Sequence, residues 1–256
     1  MKLLAYKNIN IMLYLHDELT HNTKAAKEIV PQIIKLIQPN SVVDVGCGIG
    51  TWLAVFEELG VKDVVGIDGD YVNRNLLHID EQNFIPSDLK KPFHLDRKFD
   101  LVVCLEVAEH LPEEAASAFI ESLVSLSDII LFSAAIPDQG GQNHLNEQWP
   151  IYWQLKFKEH KFELHDFIRS DIWFNKNVDW WYKQNMLIAI KETSKISLNK
   201  NNILPIIHPE LYSYKVMQLD AIDPTLKDLP PGEIPFNVAL KIFLRALKKK
   251  IKNPSS

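Results

Sequence analysis

Two short stretches carry side chains that could do chemistry. One is Glu106-Val-Ala-Glu109-His110; the other is Gln139-Gly-Gly-Gln-Asn-His144-Leu-Asn-Glu147. Each sets imidazole beside carboxylate, the material for moving a proton or for holding a divalent cation. Glu106, Glu109 and His110 can converge over a single turn. His144 stands among amides after two adjacent glycines, which let the backbone fold back over a site. It is placed to act as a base. Structural readings stand beside these: Glu and His of the first stretch could cap a helix, and His144 could simply order its loop.

A third stretch, Asp44-Val-Gly46-Cys47-Gly48-Ile-Gly50, belongs to a nucleotide-binding turn. A dinucleotide fingerprint would space its glycines G-x-G-x-x-G. Here the spacing is G-x-G-x-G, and Thr51 stands where the third glycine would be. Asp44 lies just upstream. A pyrophosphate at a helix N-terminus gains nothing from a neighbouring carboxylate, because like charges repel. A cationic cofactor does gain. S-adenosylmethionine carries an ammonium, a sulfonium and no phosphate, so the turn suits its amino-acid end. Asp68 follows Gly46 by 22 residues and ends the next strand, where an acid accepts both ribose hydroxyls. Gly69 continues that turn. Ser87-Asp88, after a third strand, could reach the adenine amino group.

These residues need elements to position them. Apolar spacing predicts a helix over Lys24–Ile37, with Pro31 as a kink, and a strand over Val42–Val45. A helix is expected over Gly50–Leu59, stopped by Gly60. Strands follow at Val64–Ile67, Phe84–Ile85 and Phe99–Leu105. Pro112, with Glu113 and Glu114 after it, opens an alanine-rich helix. Asp128–Phe132 reads as a strand and Trp149–His160 as a helix. Glu163–Ile168 and Trp181–Ile190 read as two late strands with no clear helix between them. Strands alternating with helices imply a mostly parallel sheet covered on both faces.

The runs D-V-G-C-G-I-G, V-V-G-I-D, S-D-L and F-D-L-V-V-C-L-E-V-A-E-H-L together resemble the class I S-adenosylmethionine-dependent methyltransferases. The resemblance covers roughly Val42 to Ile190. It implies an α/β, Rossmann-like seven-stranded sheet in the order 3-2-1-4-5-7-6, with strand 7 antiparallel and helices on both faces. It assigns Asp44, Gly46, Cys47, Gly48 and Gly50 to the methionine end. It assigns Asp68 with Gly69 to the ribose, Asp88 and Leu89 to the adenine, and Leu105 and Glu106 to the cofactor's flank. E-x-x-E-H with a later His is also similar to metal sites of small-RNA end methyltransferases. That makes Glu106, Glu109, His110 and His144 the candidate ligands of a divalent metal. E-V-A-E-H is similar to ubiquinone-type O-methyltransferases. A dehydrogenase or a non-catalytic Rossmann domain is the competing reading.

Methyl transfer is an in-line displacement at a carbon that the sulfonium already activates. The protein must align the acceptor and, for a hydroxyl, take its proton. His144, His110 and Glu109 are the candidate catalytic residues. Trp180-Trp181-Tyr182 could wall the acceptor or pack the core, and His16-Asp17 and His21-Asn22 could belong to a lid.

The chain has 256 residues and a net charge of −5, a balance that disfavours a general nucleic-acid binder. Only two cysteines occur, Cys47 and Cys104, which suits a reducing, cytoplasmic setting. No leader peptide is evident, and no apolar run reaches the roughly 18 residues of a membrane span. We expect a methyltransferase domain over 1–195, including an N-terminal helical lid, and a C-terminal extension over 196–256. In the extension, Phe236–Lys252 forms a basic amphipathic helix, suited to membrane-surface contact, to dimerisation or to packing on its own domain. The expected activity is O-methylation of a small polar or saccharide acceptor in cell-surface polysaccharide or natural-product biosynthesis. The alternatives are a metal-dependent RNA-end methyltransferase and a methyltransferase-like binding module.

Overall fold

The centre of the protein is built from runs that are apolar on every face. Ser41–Val45 (β1), Leu101–Leu105 (β4) and Ile129–Ser133 (β5) are buried almost throughout, as strands covered on both sides must be. The computed structural model describes residues 22–196, 198 and 203–222. His16, Asp17, His21 and the stretch Phe236–Lys252, expected to form a basic helix, lie outside the described residues.

In chain order the elements are α1 (Lys24–Ile37), β1, α2 (Thr51–Glu58), β2 (Asp63–Asp68), β3 (Phe84–Pro86), β4 and α3 (Ala116–Leu126). Then come β5, α4 (Pro150–Glu159), β6 (Phe162–His165), α5 (Arg169–Ile172), α6 (Trp180–Asn185), β7 (Leu187–Lys191) and α7 (Pro209–Ile222). The seven strands lie in the order β3-β2-β1-β4-β5-β7-β6. All pairs are parallel except those of β7, which runs antiparallel to both β5 and β6. The expected sheet order and the expected reversal of strand 7 are both present.

Alternation along each strand divides the core in two. Val42, Val64, Val103 and Leu131 point to the face covered by α1 and α2, with Ile29, Ile33, Leu53 and Phe56. Val43, Val102, Ile130 and Phe132 point to the other face, with Phe119, Leu123, Trp153 and Phe157 of α3 and α4. α1 runs through Pro31 and ends at Gln38, whose φ of 52° closes the helix. The Pro112 helix begins with a tight turn over Glu113–Ala115 before α3 proper.

The stretch between β6 and β7 departs from expectation. β6 stops at His165 rather than Ile168, because Asp166 turns back to pair with Arg169 at 2.6 Å. Trp181–Asn185 is helix, not strand: α6 takes up Trp180–Asn185, and only Leu187–Lys191 joins the sheet. Two short helices therefore occupy a gap that was expected to hold none. The consequence is functional. β7 enters the sheet beside the carboxyl end of β5, Leu187 pairing with Phe132. The end of α6 is thereby delivered to the edge where nucleotide folds place their ligands.

The chain divides into two units, Met1–Ile206 and Ile207–Ser256, a division later in the chain than the compositional change after Lys195. In the second unit the helix α7 starts with Pro209, and the amide of Glu210 donates to His208 Nδ1 at 3.3 Å. None of the described helices is long and apolar enough to cross a membrane.

Candidate active site

The glycine turn leaves β1 by a route that only glycine can take at its first step. Gly46 has φ +83°, and a Cβ there would overlap the methyls of Val107. Its amide donates to Ile67 O at 2.7 Å, so the turn is tied to β2. Gly50, the last residue of the turn, is the N-cap of α2. Gly48 N donates to Asp68 Oδ2 at 2.7 Å. The other oxygen, Oδ1, accepts from Gly69 N at 2.6 Å and from Tyr71 OH at 2.7 Å. Asp68 is thus fixed by three donors at the tip of β2. Tyr71 was not foreseen; an aromatic hydroxyl three residues after the acid is the sequence signal for it.

Asp44 is buried behind the turn. Burial, and then the charge of Asp68, hold its carboxyl well above the ordinary range. Burial likewise pushes the Cys47 thiol up, so Cys47 sits in the turn as a small protonated residue. Leu89 and Leu105 are buried. Asp88 is exposed; its carboxylate accepts from Lys90 N at 3.2 Å and pairs with Lys91 at 3.5 Å. The turn that carries it is linked to Asp68 by Ser87 N donating to Asp68 O at 2.8 Å.

On the other side of the edge, Glu106 leaves β4 with φ +55°. Its amide donates to Ser133 O at 3.0 Å and lies 3.1 Å from Ser133 Oγ. Its carboxylate accepts from Gln139 Nε2 at 3.0 Å and from Asn185 Nδ2 at 3.1 and 3.3 Å. Burial raises its pKa, and these amide donors oppose the rise. Glu109 is fully buried, and neither carboxyl oxygen has a hydrogen-bond partner. Burial, and then the neighbouring Glu106, hold it well above the usual carboxylate range.

The turn at Glu109 also anchors the second stretch. Glu109 O accepts from Leu145 N at 2.7 Å and from Asn146 N at 3.0 Å. That brings His144 against His110, ring edge to ring face, with centroids 4.8 Å apart and planes at 87°. His110 is held down to about 4 by burial and then by His144, so it is neutral near pH 7. His144 Nδ1 lies 2.8 Å from Glu147 Oε1, which also accepts from Gly140 N at 2.7 Å. A side chain on Gly141 would overlap the His144 ring as it stands and would push it aside.

Glu109, His110 and His144 offer ligand atoms that all lie within 4.8 Å of one another. Glu106 is not in that group, which corrects the expected four-residue metal set. Its carboxylate is committed to Gln139 and Asn185. One carboxylate and two imidazoles suit a borderline divalent ion better than Mg²⁺, which prefers oxygen.

Of the aromatic run, Tyr182 packs edge-on against Trp52 at 5.3 Å, within the α1–α2 side of the core. The core reading therefore holds for Tyr182. The residues that the sequence did not single out are the amides behind Glu106. Gln184 Nε2 donates to Gln139 Oε1 at 3.1 Å, and Asn185 Nδ2 reaches the same oxygen at 2.9 Å. Arg169, itself buried, holds Gln184 O at 3.0 Å.

A family model described as a methyltransferase domain matches residues 18–171, more than half of the chain. Magnesium-protoporphyrin O-methyltransferase of Synechocystis sp. is 32% identical over 104 residues, covering 38% of this chain and 44% of that protein. The match thus spans less than half the length of the curated relative. Among solved structures, an S-adenosylmethionine-bound amino pentose methyltransferase from Micromonospora echinaspora, involved in calicheamicin biosynthesis, superposes with a TM-score of 0.52. It is 13% identical, over 70% of this chain and 98% of that one. DesVI of Streptomyces venezuelae superposes at 0.51, also 13% identical, over 70% and 100%. At such identities the likeness is one of fold.

Proposed function

This chain belongs to the methyltransferase domain family, the class I S-adenosylmethionine-dependent enzymes, and from that premise we propose that it methylates an oxygen of a small polar or saccharide acceptor. Cell-surface polysaccharide or natural-product biosynthesis is the setting we favour. The observation that carries the acceptor chemistry is the Glu147–His144 pair. A carboxylate accepting from Nδ1 fixes the tautomer and leaves the lone pair on Nε2, the arrangement of a general base. The acceptor hydroxyl would lose its proton to Nε2 as oxygen attacks the methyl carbon and the carbon–sulfur bond breaks. The neutral thioether then leaves. Asp44 and the glycine turn would hold the amino-acid end, Asp68 the ribose, and the Ser87–Leu89 turn the adenine. Two free, buried cysteines support a cytoplasmic setting.

The buried, unpartnered Glu109 favours a second reading of the same site. With His110 and His144 it would hold a divalent cation, which would polarise the acceptor hydroxyl. Transfer in EDTA separates the two. Activity that survives chelation leaves His144 as base. Activity that is lost and then restored by one divalent ion places a metal on Glu109, His110 and His144, and would be the form in which an RNA-end acceptor is tested first.

The acids give a pH prediction. Asp44, Glu106 and Glu109 all sit above the ordinary carboxylate range in the fold. Unfolded, they ionise within it. Each therefore favours the folded state at low pH, and that contribution is lost as pH rises from the ordinary range through the raised values. The cofactor-free protein is expected to lose this contribution as pH rises from about 5 to about 7, and so to melt lower at the higher pH, with S-adenosylmethionine narrowing the gap. Melting curves at both pH values, with and without cofactor, check this. A gap that the cofactor leaves unchanged contradicts it.

A further inference from the structure

We propose that Trp180 and Trp181 form an indole corner that seats one pyranose-sized ring of the acceptor, with Trp181 stacked on the ring's C–H face. The inference rests on the saccharide reading above and deepens it. It assigns two acceptor-specificity residues and favours a single ring over an extended planar acceptor.

Placement comes from α6. Its last two residues reach the site, since Gln184 Nε2 and Asn185 Nδ2 both donate to Gln139 Oε1, at 3.1 and 2.9 Å, where the acceptor loop begins. Residues four apart on a helix lie one above the other. Trp180 therefore stands over Gln184 and Trp181 over Asn185, one turn farther from the sheet edge. The aromatic wall also runs back to the cofactor turn. The rings of Trp181 and Tyr182 have centroids 6.0 Å apart, and Tyr182 meets Trp52, the second residue of α2 after the glycine turn. Tyr182 and Trp52 belong to the α1–α2 half of the core. Trp180 and Trp181 are half-buried and, among the described residues, pack in neither half.

The corner is held from both ends. Arg169 fixes Gln184 O at 3.0 Å. On the approach, Asn175 Nδ2 and Asn177 Nδ2 donate to the Glu28 carboxylate of α1 at 2.9 and 2.7 Å. A ring-binding surface on such a frame loses little freedom when it is filled.

Its shape selects the ligand. The two indole planes lie at 83°, with centroids 5.4 Å apart. Perpendicular faces make a corner, not a platform. An extended planar system laid on one indole meets the other, whereas a single six-membered ring fits within the angle. The C–H groups of a sugar ring are the positive partner that an aromatic face attracts. A sugar hydroxyl is also the weak acid for which the His144–Glu147 base is most useful.

The test is transfer by the full chain from methyl-labelled S-adenosylmethionine, titrated with the saccharide fraction of a host extract, beside calorimetric titration with the cofactor. Trp181→Leu keeps apolar bulk for packing and removes the flat face. It is expected to raise the amount of saccharide fraction needed for half-maximal transfer about tenfold, with cofactor affinity unchanged. Trp181→Phe restores a flat ring and should recover most of that loss. A Trp181→Leu protein that transfers as wild type does overturns the proposal. So does one whose loss lies in cofactor affinity, because the indole would then serve the cofactor or the core. If Trp181→Leu fails to fold, Trp180→Leu is read in the same way. Wild-type label in phenols or extended aromatic compounds instead of saccharides also overturns the proposal, while methyl transfer itself stands. A wild-type protein that labels no fraction contradicts the functional reading, and this inference falls with it.

Discussion

Gly46→Ala is expected to cost the fold about 3 kcal/mol or more. Two terms add. A non-glycine residue at φ +83° pays about 1–2 kcal/mol for the left-handed backbone. The new Cβ must also displace the Val107 methyls, in a region packed between β1, β2 and β4. Gly60→Ala is the control. Gly60 has φ +103°, but nothing lies near its missing side chain, so only the backbone term remains. Denaturant midpoints at unchanged slope would read the difference. In a protein of this size, each kcal/mol corresponds to about 2–4 °C in melting temperature. Equal losses at the two glycines would show that Val107 yields, and that the turn is less tightly built than described.

His144→Gln should lower methyl transfer by a factor of about 10² to 10⁴, the usual worth of a positioned base. Affinity for S-adenosylmethionine should not change, because His144 belongs to the acceptor loop. Glu147→Gln is the informative companion. It keeps the ring but replaces the acceptor that holds Nδ1, at 2.8 Å, with an amide able to present N–H there. A partial loss, on the order of tenfold, is expected, with the pH profile of transfer displaced. Single-turnover rates beside cofactor titrations would separate the two effects. Full transfer in His144→Gln would remove the base and leave alignment alone to explain the reaction.

The sequence made the sheet legible because its strands are pure. Val42–Val45, Val64–Ile67 and Leu101–Leu105 can hardly be anything but strands of the sheet, although the run was expected to begin at Phe99, and the acids and glycines at their ends mark the ligand edge. Asp68 followed directly, since the acid sits at the end of a strand at nucleotide spacing. The half after β5 was harder to read. Trp180–Asn185 is rich in aromatics that suit a strand, yet it coils because it must bring Gln184 and Asn185 under Glu106 while Tyr182 meets Trp52. A six-residue helix leaves almost no periodic signal. The metal set shows the same limit. Glu106 and Glu109 share a turn in sequence, but a left-handed φ at Glu106 leaves its carboxylate with the amides and Glu109 with the imidazoles. No spacing rule distinguishes those outcomes. The pairing of His144 with Glu147 was within reach, since the two lie three residues apart in one loop.

This enzyme is proposed to pass a methyl group from S-adenosylmethionine to a small polar or saccharide acceptor. The direct test is incubation of the purified chain with methyl-labelled S-adenosylmethionine and a host extract, followed by separation into small molecules, polysaccharide, RNA and protein. Label in the small-molecule or polysaccharide fraction, lost in His144→Gln, is the predicted result. Label that accumulates in RNA instead would contradict the claim, and so would the absence of label from every fraction by a protein that binds the cofactor.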